Sequence, residues 1–327
     1  MRAVVITRPG DTEVLEIQNR PAPEPGVGQI RVRVRSSALN RADISQRLGR
    51  YPAPAGSPRD IPGLEYAGEV ESLGSGATMW NVGDLVMGIV GGGAHAEYVC
   101  VHEREAIPAP TNISIERCGA IPEVFLTAYD ALFDKLELKS GETLLIHAAG
   151  SGVGTAAIQL ASVAGAVTIG TSRSQSKLDR CLAIGLTAGF HVTDGDWAPR
   201  LLADIRRTSV DAVLDLVGGD YLKGNMEILR ERGRLVSVGL TSGSRADLDM
   251  GMLMRKRLTL VGTVLRARPL EEKITLARDF SHRAIPFFLE GKLRPVIDSV
   301  ISFADIRSAH ARMESDETFG KIVLLWS

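Results

Sequence analysis

Cysteine is scarce in this chain. Its three residues, Cys100, Cys118 and Cys181, are odd in number and widely spaced, with no C-x-x-C pair and no Cys/His cluster at metal-ligand spacing. A disulfide framework and a structural zinc are therefore not expected. Long apolar runs are lacking too, and no segment approaches the ~20 residues of a membrane-spanning helix. Met1 leads straight into the strand-like Arg2, Ala3, Val4, Val5, Ile6, without the apolar stretch and cleavage site of a secretory signal. No membrane insertion and a reducing, cytoplasmic location are the resulting expectations. Charge of one sign is also missing. With 38 basic and 39 acidic residues the net charge is -1, and no run of like charges forms a tail. The triplet Arg255, Lys256, Arg257 reads as a solvated helix end, so no nucleic-acid partner is expected.

What is present is enough chain for a large core. At 327 residues it exceeds the size at which one core stops growing, and 44% apolar with 24% charged residues is an ordinary globular balance. The first third carries short alternating runs, Ile30 to Arg35, Gly68 to Val70, Asp84 to Val90 and Ala96 to Val101, which predict a β-rich unit. Proline- and glycine-rich stretches at 21–26 and 51–56 predict loops, the second a candidate rim of a site. From about Ile121, buried strands alternate with helical segments. Strands are predicted at Thr143 to Ala148, Val167 to Gly170, Ala212 to Leu216, Arg234 to Val238 and Arg257 to Leu265, with helices over Gly154 to Ala164 and around Lys177 to Ala183. This is the pattern of a doubly wound parallel sheet. Beyond Arg268 a long helical stretch, a strand at Ile297 to Phe303, another helix and a closing strand at Lys321 to Leu325 return to the first unit. The predicted domains are 1–120 and 267–327 for the β-rich unit, with the nucleotide-binding domain, 121–266, inserted.

The stretch from Leu144 to Ile158 runs strand, glycine-rich turn, helix. A dinucleotide pyrophosphate needs amide N–H groups at a helix N-terminus and no side chains in the way, and Ser151, Gly152, Val153 and Gly154 supply both. A glycine-rich turn that only packs closely is the alternative. His147, alone at a strand end, reads as a packed, hydrogen-bonded side chain. The second strand of the unit ends in Ser172, Arg173, Ser174, Gln175, Ser176, Lys177, where NAD enzymes place a carboxylate. Arg173 and Lys177 can pair with a 2′-phosphate and Ser172 can donate to it, which predicts NADPH. Ordinary exposed cations at a helix start are the bland alternative.

Several stretches together resemble the medium-chain dehydrogenase/reductases over essentially the whole chain. They are 37–43 (Ser-Ala-Leu-Asn-Arg-Ala-Asp), 61–68 (Ile-Pro-Gly-Leu-Glu-Tyr-Ala-Gly), Ile121-Pro122-Glu123, the glycine turn and Gly320-Lys321-Ile322-Val323-Leu324. The resemblance is greatest to the quinone oxidoreductases, in particular the tumour-suppressor-induced subgroup. It implies a Rossmann-type sheet inserted in a GroES-like catalytic domain. Zinc alcohol dehydrogenases of the superfamily hold their metal at positions corresponding to Asn40, Leu64 and Glu123, so no metal is implied here. The family's Ala-x-x-Gly-x-x-Gly turn has Ala148, Ser151 and Gly154, with serine at the middle place. A tyrosine that some relatives use on the 2′-phosphate aligns with Val192, beside His191. The resemblance further implies that Asn40, Thr127, Gly239 and Leu265 line the nicotinamide end and that Lys321 lies near the ribose or pyrophosphate.

The implied function is zinc-independent transfer of reducing equivalents from NADPH to a quinone or similar electrophilic acceptor. Asn40 and Tyr51 are candidates to hydrogen-bond the developing oxyanion. Tyr51 can stack on a flat acceptor or merely pack on its neighbouring prolines. No side chain stands out as a proton donor. Reduction of an activated carbon–carbon double bond needs nearly the same site, and a non-catalytic NADPH-binding protein would keep the same cofactor residues. A homodimer joined along Leu258 to Leu265 is expected by analogy.

Overall fold

The computed structural model describes residues 1–193, 197–206 and 208–326. They divide into two compact units: Met1–Leu126 with Leu265–Ser327, and Thr127–Val264.

The first unit is built on the strand Gln29–Ala38. Ile30, Val32 and Val34 alternate with Arg31, Arg33 and Arg35, so one face enters the core and the other keeps its cations near water. It pairs antiparallel with Glu65–Leu73 on one side and Lys321–Leu325 on the other, and also with Tyr98–His102. Leu85–Ile89 and Ile107–Pro108 extend the sheet beyond Glu65–Leu73, and Ile297–Ser302 lies parallel to Lys321–Leu325. A separate hairpin joins Arg2–Ile6 to Leu15–Asn19. The core beneath gathers Val4, Leu39, Tyr66, Val86, Ile322 and Leu324. Beyond Leu265 the helices Leu270–Arg283 and Ile285–Leu289 fill the predicted helical stretch.

In the second unit the described strands run all parallel in the spatial order Ala188–His191, Val167–Ser172, Thr143–Ile146, Val210–Asp215, Leu229–Ser237, Thr259–Gly262. Numbered along this unit, that order is 3-2-1-4-5-6, the dinucleotide-binding arrangement. Three expectations need correction. The first strand ends at Ile146 because Ala148 takes φ +48°, outside strand geometry. The next helix is Gly152–Val163 because Ser151 caps it earlier than the apolar periodicity indicates. The last strand is only Thr259–Gly262, since Arg257 ends the helix Met250–Lys256 in the left-handed conformation. The strand Ala188–His191 went unpredicted; only Phe190 of its four residues is buried.

Candidate functional site

In the second unit, Ser151 has extended geometry and its Oγ accepts the Gly154 amide at 3.0 Å. That satisfies one of the N–H groups a helix start leaves without an intrahelical acceptor, and leaves those of Gly152 and Val153 facing outward along the axis. A Cβ on Gly154 would lie 2.6 Å from the Ala149 carbonyl oxygen, so only glycine lets the helix start this close to its strand. A capped, glycine-lined helix start of this kind can receive an anionic group. Ser172 closes the neighbouring strand, with its Oγ accepting the Ser174 amide, and exposed Arg173 follows. Half-buried Lys177 lies on the helix Gln175–Leu182. Exposed His191 bonds the Arg173 carbonyl at 3.0 Å, while Val192 is buried in the unit's core. Gly239, whose Cβ would strike the Leu216 carbonyl oxygen, and Thr127, on the helix Pro122–Tyr129, also belong to this unit. His147 is fully engaged. Nε2 donates to Asn225 Oδ1 at 2.6 Å, Nδ1 accepts from Thr171 Oγ1 at 2.8 Å, and Trp197 and Tyr221 meet its ring edge-on.

In the first unit the structure gathers residues from four distant stretches. Lys321, at the start of the closing strand, is buried. Its ammonium donates to the Leu39 carbonyl and Asn40 Oδ1, both at 2.6 Å, and pairs with Glu65 at 2.7 Å. Asn40 Nδ2 donates to Glu65 Oε1 at 3.0 Å and to the Ala38 carbonyl at 3.2 Å. The other Glu65 oxygen accepts the Glu123 amide at 2.8 Å. Asp43, three residues into the helix that Asn40 caps, accepts the amides of Asn40 and Gly63. Gly63 has φ +100°, and a Cβ there would lie 2.4 Å from the His95 amide. Asn40 and Lys321 are thus brought together, but the role expected of Asn40 changes. Both of its N–H groups are taken by the chain, so it holds Lys321 and Glu65 in register and has no spare donor for an oxyanion.

Tyr51 lies instead beside Arg266, the residue after Leu265. The guanidinium sits over the tyrosine ring, 4.8 Å from its centroid, and donates to the carbonyls of Gly91 (2.7 Å) and Tyr51 (3.2 Å) and to Gln46 Oε1. Arg266 and Leu265 are both buried. Burial lowers the Arg266 pKa and raises that of the Tyr51 hydroxyl, against which Arg266 acts. Glu123, half-buried, is pushed up to about 8, first by burial and then by the Glu65 carboxylate. Asp43, Glu65 and Arg266 were not singled out as site residues from sequence. Asp43 carried a signal, being an acid three residues after an Asn cap, whereas Arg266 carried none.

Residues 26–111 match the alcohol dehydrogenase GroES-like domain and residues 152–281 the zinc-binding dehydrogenase family. A quinone oxidoreductase of Pseudomonas aeruginosa is 33% identical over 324 residues, 97% of each chain. The crystal structure of Escherichia coli quinone oxidoreductase complexed with NADPH superposes with a TM-score of 0.89 at 28% identity, over the whole of both chains. That of an NAD-dependent alcohol dehydrogenase does so with 0.88 at 32%, again over both whole chains. A catalytic zinc does not fit the residues at the positions its relatives use. Leu64 is apolar and buried, the Asn40 oxygen already accepts from Lys321, and that ammonium would repel a dication. The chain belongs to the medium-chain dehydrogenase/reductase family, among the relatives of quinone oxidoreductase.

Proposed function

We propose that the chain is a zinc-independent, NADPH-dependent reductase of quinones. The observation that carries this reading is a pair of features in the second unit suited to anions: the capped, glycine-lined helix start at Ser151–Gly154, and a second strand that ends in Ser172 and is followed by Arg173, with no carboxylate. The Gly152 and Val153 amides would receive the pyrophosphate, and Arg173, Lys177 and Ser172 the 2′-phosphate. When bound, the dihydronicotinamide supplies the reducing equivalents. In the first unit, Lys321 and Glu65 neutralise each other and fix Asn40. Tyr51, whose hydroxyl bonds none of the described residues, offers its ring to a flat acceptor and its O–H to the acceptor's developing charge. Thr127, Gly239 and Leu265 are proposed at the nicotinamide end.

The test is turnover of NADPH and of NADH with an ortho-quinone, a para-quinone and a simple enone, with and without a chelator. Chelator-insensitive, NADPH-selective quinone reduction is expected; enone reduction alone would move the acceptor class, and loss of activity to the chelator would defeat zinc independence. Arg173→Ala should weaken NADPH binding about 10- to 100-fold by fluorescence titration, the worth of one to two charge-assisted hydrogen bonds, and leave NADH within a factor of two. Equal losses for both nucleotides would remove Arg173 from the 2′-phosphate. A homodimer joined along Thr259–Gly262, the edge strand of the described sheet, completes the proposal. A single-chain mass in solution would overturn it.

A further inference from the structure

Resting on that reading, we propose that Arg266 stabilises the negative charge that develops on the acceptor during reduction, acting through the ring of Tyr51. The guanidinium lies over that ring, 4.8 Å from its centroid, and its Nη1 also donates to the Tyr51 carbonyl at 3.2 Å, so ring and backbone are pinned together. Its other bonds go to the Gly91 carbonyl at 2.7 Å and to Gln46 Oε1. All three acceptors are neutral, and no carboxylate among the described residues forms an ion pair with Arg266. The residue is 6% exposed, and arginine keeps its proton even where it is buried. A whole positive charge is thus held in the first unit against neutral oxygens and one aromatic face.

Fastening the loop does not require such a charge. Residues 51–57 are already seated on Gly91, where a Cβ would lie 2.3 Å from Ser57 Oγ and 2.8 Å from Pro54 Cγ, and neutral donors serve carbonyl oxygens at a lower desolvation cost. The charge has a use on the far side of the ring. A cation on one face of an aromatic ring draws the π electrons towards itself, which makes the opposite face less negative and better suited to an electron-rich partner. A neutral quinone gains little from this. When the quinone takes a hydride from the dihydronicotinamide, two electrons arrive with it and the product is a hydroquinone anion; solvent supplies the proton that completes the hydroquinone. By ordinary ring-stacking distances, an anion stacked on Tyr51 lies roughly 9 Å from the Arg266 charge. With an effective dielectric of about 20, that separation favours a half to a full unit of negative charge about 5- to 20-fold. The gain is made in the transition state and not in the neutral ground state, so it appears in kcat.

The experiment uses the full chain with NADPH and a para-quinone. Arg266→Met should lower kcat about 5- to 20-fold and leave KM within a factor of two, whereas loss of a merely structural clamp would raise KM. Arg266→Lys, which keeps the charge but not the planar fork, should recover part of the rate. A second pair of variants leaves Arg266 in place and decides the matter even where its removal unfolds the first unit. The 2-hydroxy-1,4-naphthoquinone anion should bind the NADP⁺-loaded protein about tenfold more tightly than its neutral 2-methoxy ether. Tyr51→Phe, which keeps the ring, should retain that preference, and Tyr51→Leu should abolish it. Quinone turnover by wild type with kcat unaltered in Arg266→Met, a loss confined to KM, or an anion preference that is absent from wild type or survives in Tyr51→Leu overturns the proposal alone. Wild-type silence towards quinone overturns it together with the functional reading.

Discussion

Lys321→Met should cost about 3–5 kcal/mol, because it strands the fully buried Glu65 carboxylate without its cation. The Leu39 carbonyl and Asn40 Oδ1 lose their donor at the same time. For a unit of this size the unfolding midpoint should drop by on the order of 10 °C. Since the two units need not unfold together, the transition should be followed through Trp326, which belongs to the first unit and donates to Ser37. Adding Glu65→Leu should recover much of the loss, as replacing a whole buried pair by apolar groups is far cheaper than breaking it. A single variant that melts like wild type would show that the pair contributes nothing.

Acid should destabilise the first unit well above the carboxylate range. His95 and His310 are buried, each with an Nε2 lacking a hydrogen-bond partner among the described residues, and burial holds both near pKa 3. Asp43, 3.9 Å from His95, does not reverse this. The unfolded chain takes up these protons near pH 6.5 and the folded one only near 3, so the stabilisation is complete above 6.5 and is lost as pH falls. At ~1.4 kcal/mol per unit, each histidine removes about 2 kcal/mol between pH 6.5 and 5. Glu123 runs the other way. Its folded pKa is raised, so its contribution is fullest below about 4.5 and is lost towards 8, which returns about 2 kcal/mol over the same interval. Denaturant titrations should therefore show wild type losing about 2 kcal/mol and Glu123→Gln about 4 kcal/mol. Equal losses in the two proteins would contradict the raised Glu123 pKa, and no loss in either would contradict the neutral buried histidines.

The fold was legible wherever a local period or a turn dictated it. The alternation of Ile30, Val32 and Val34 with arginines, and the glycine turn between two apolar segments, placed the β-rich unit and the parallel sheet. Boundaries slipped where a single backbone angle decides them, as at Ala148 and Arg257. The cap at Ser151 and the strand end at Ser172 were readable because each is built from contiguous residues. The buried ion pair was not, because Glu65 and Lys321 meet only after Lys321–Leu325 has paired with Gln29–Ala38. No periodicity reports that Glu65 will be buried or that Arg266 will lie on Tyr51.

The closing strand Lys321–Leu325 also sets an order of events during synthesis. It inserts between Gln29–Ala38 and Ile297–Ser302, so the sheet of the first unit stays split until residues 321–325 have left the ribosome. Residues 127–264, which form a compact unit of their own, have by then emerged entire. Until Lys321 arrives, Glu65 has no ammonium and Ser37 and Ala38 have an unpaired edge, a nascent surface for chaperones to cover. A chain that stalls before Lys321 would carry the complete parallel sheet of the second unit together with an unsealed, aggregation-prone first unit.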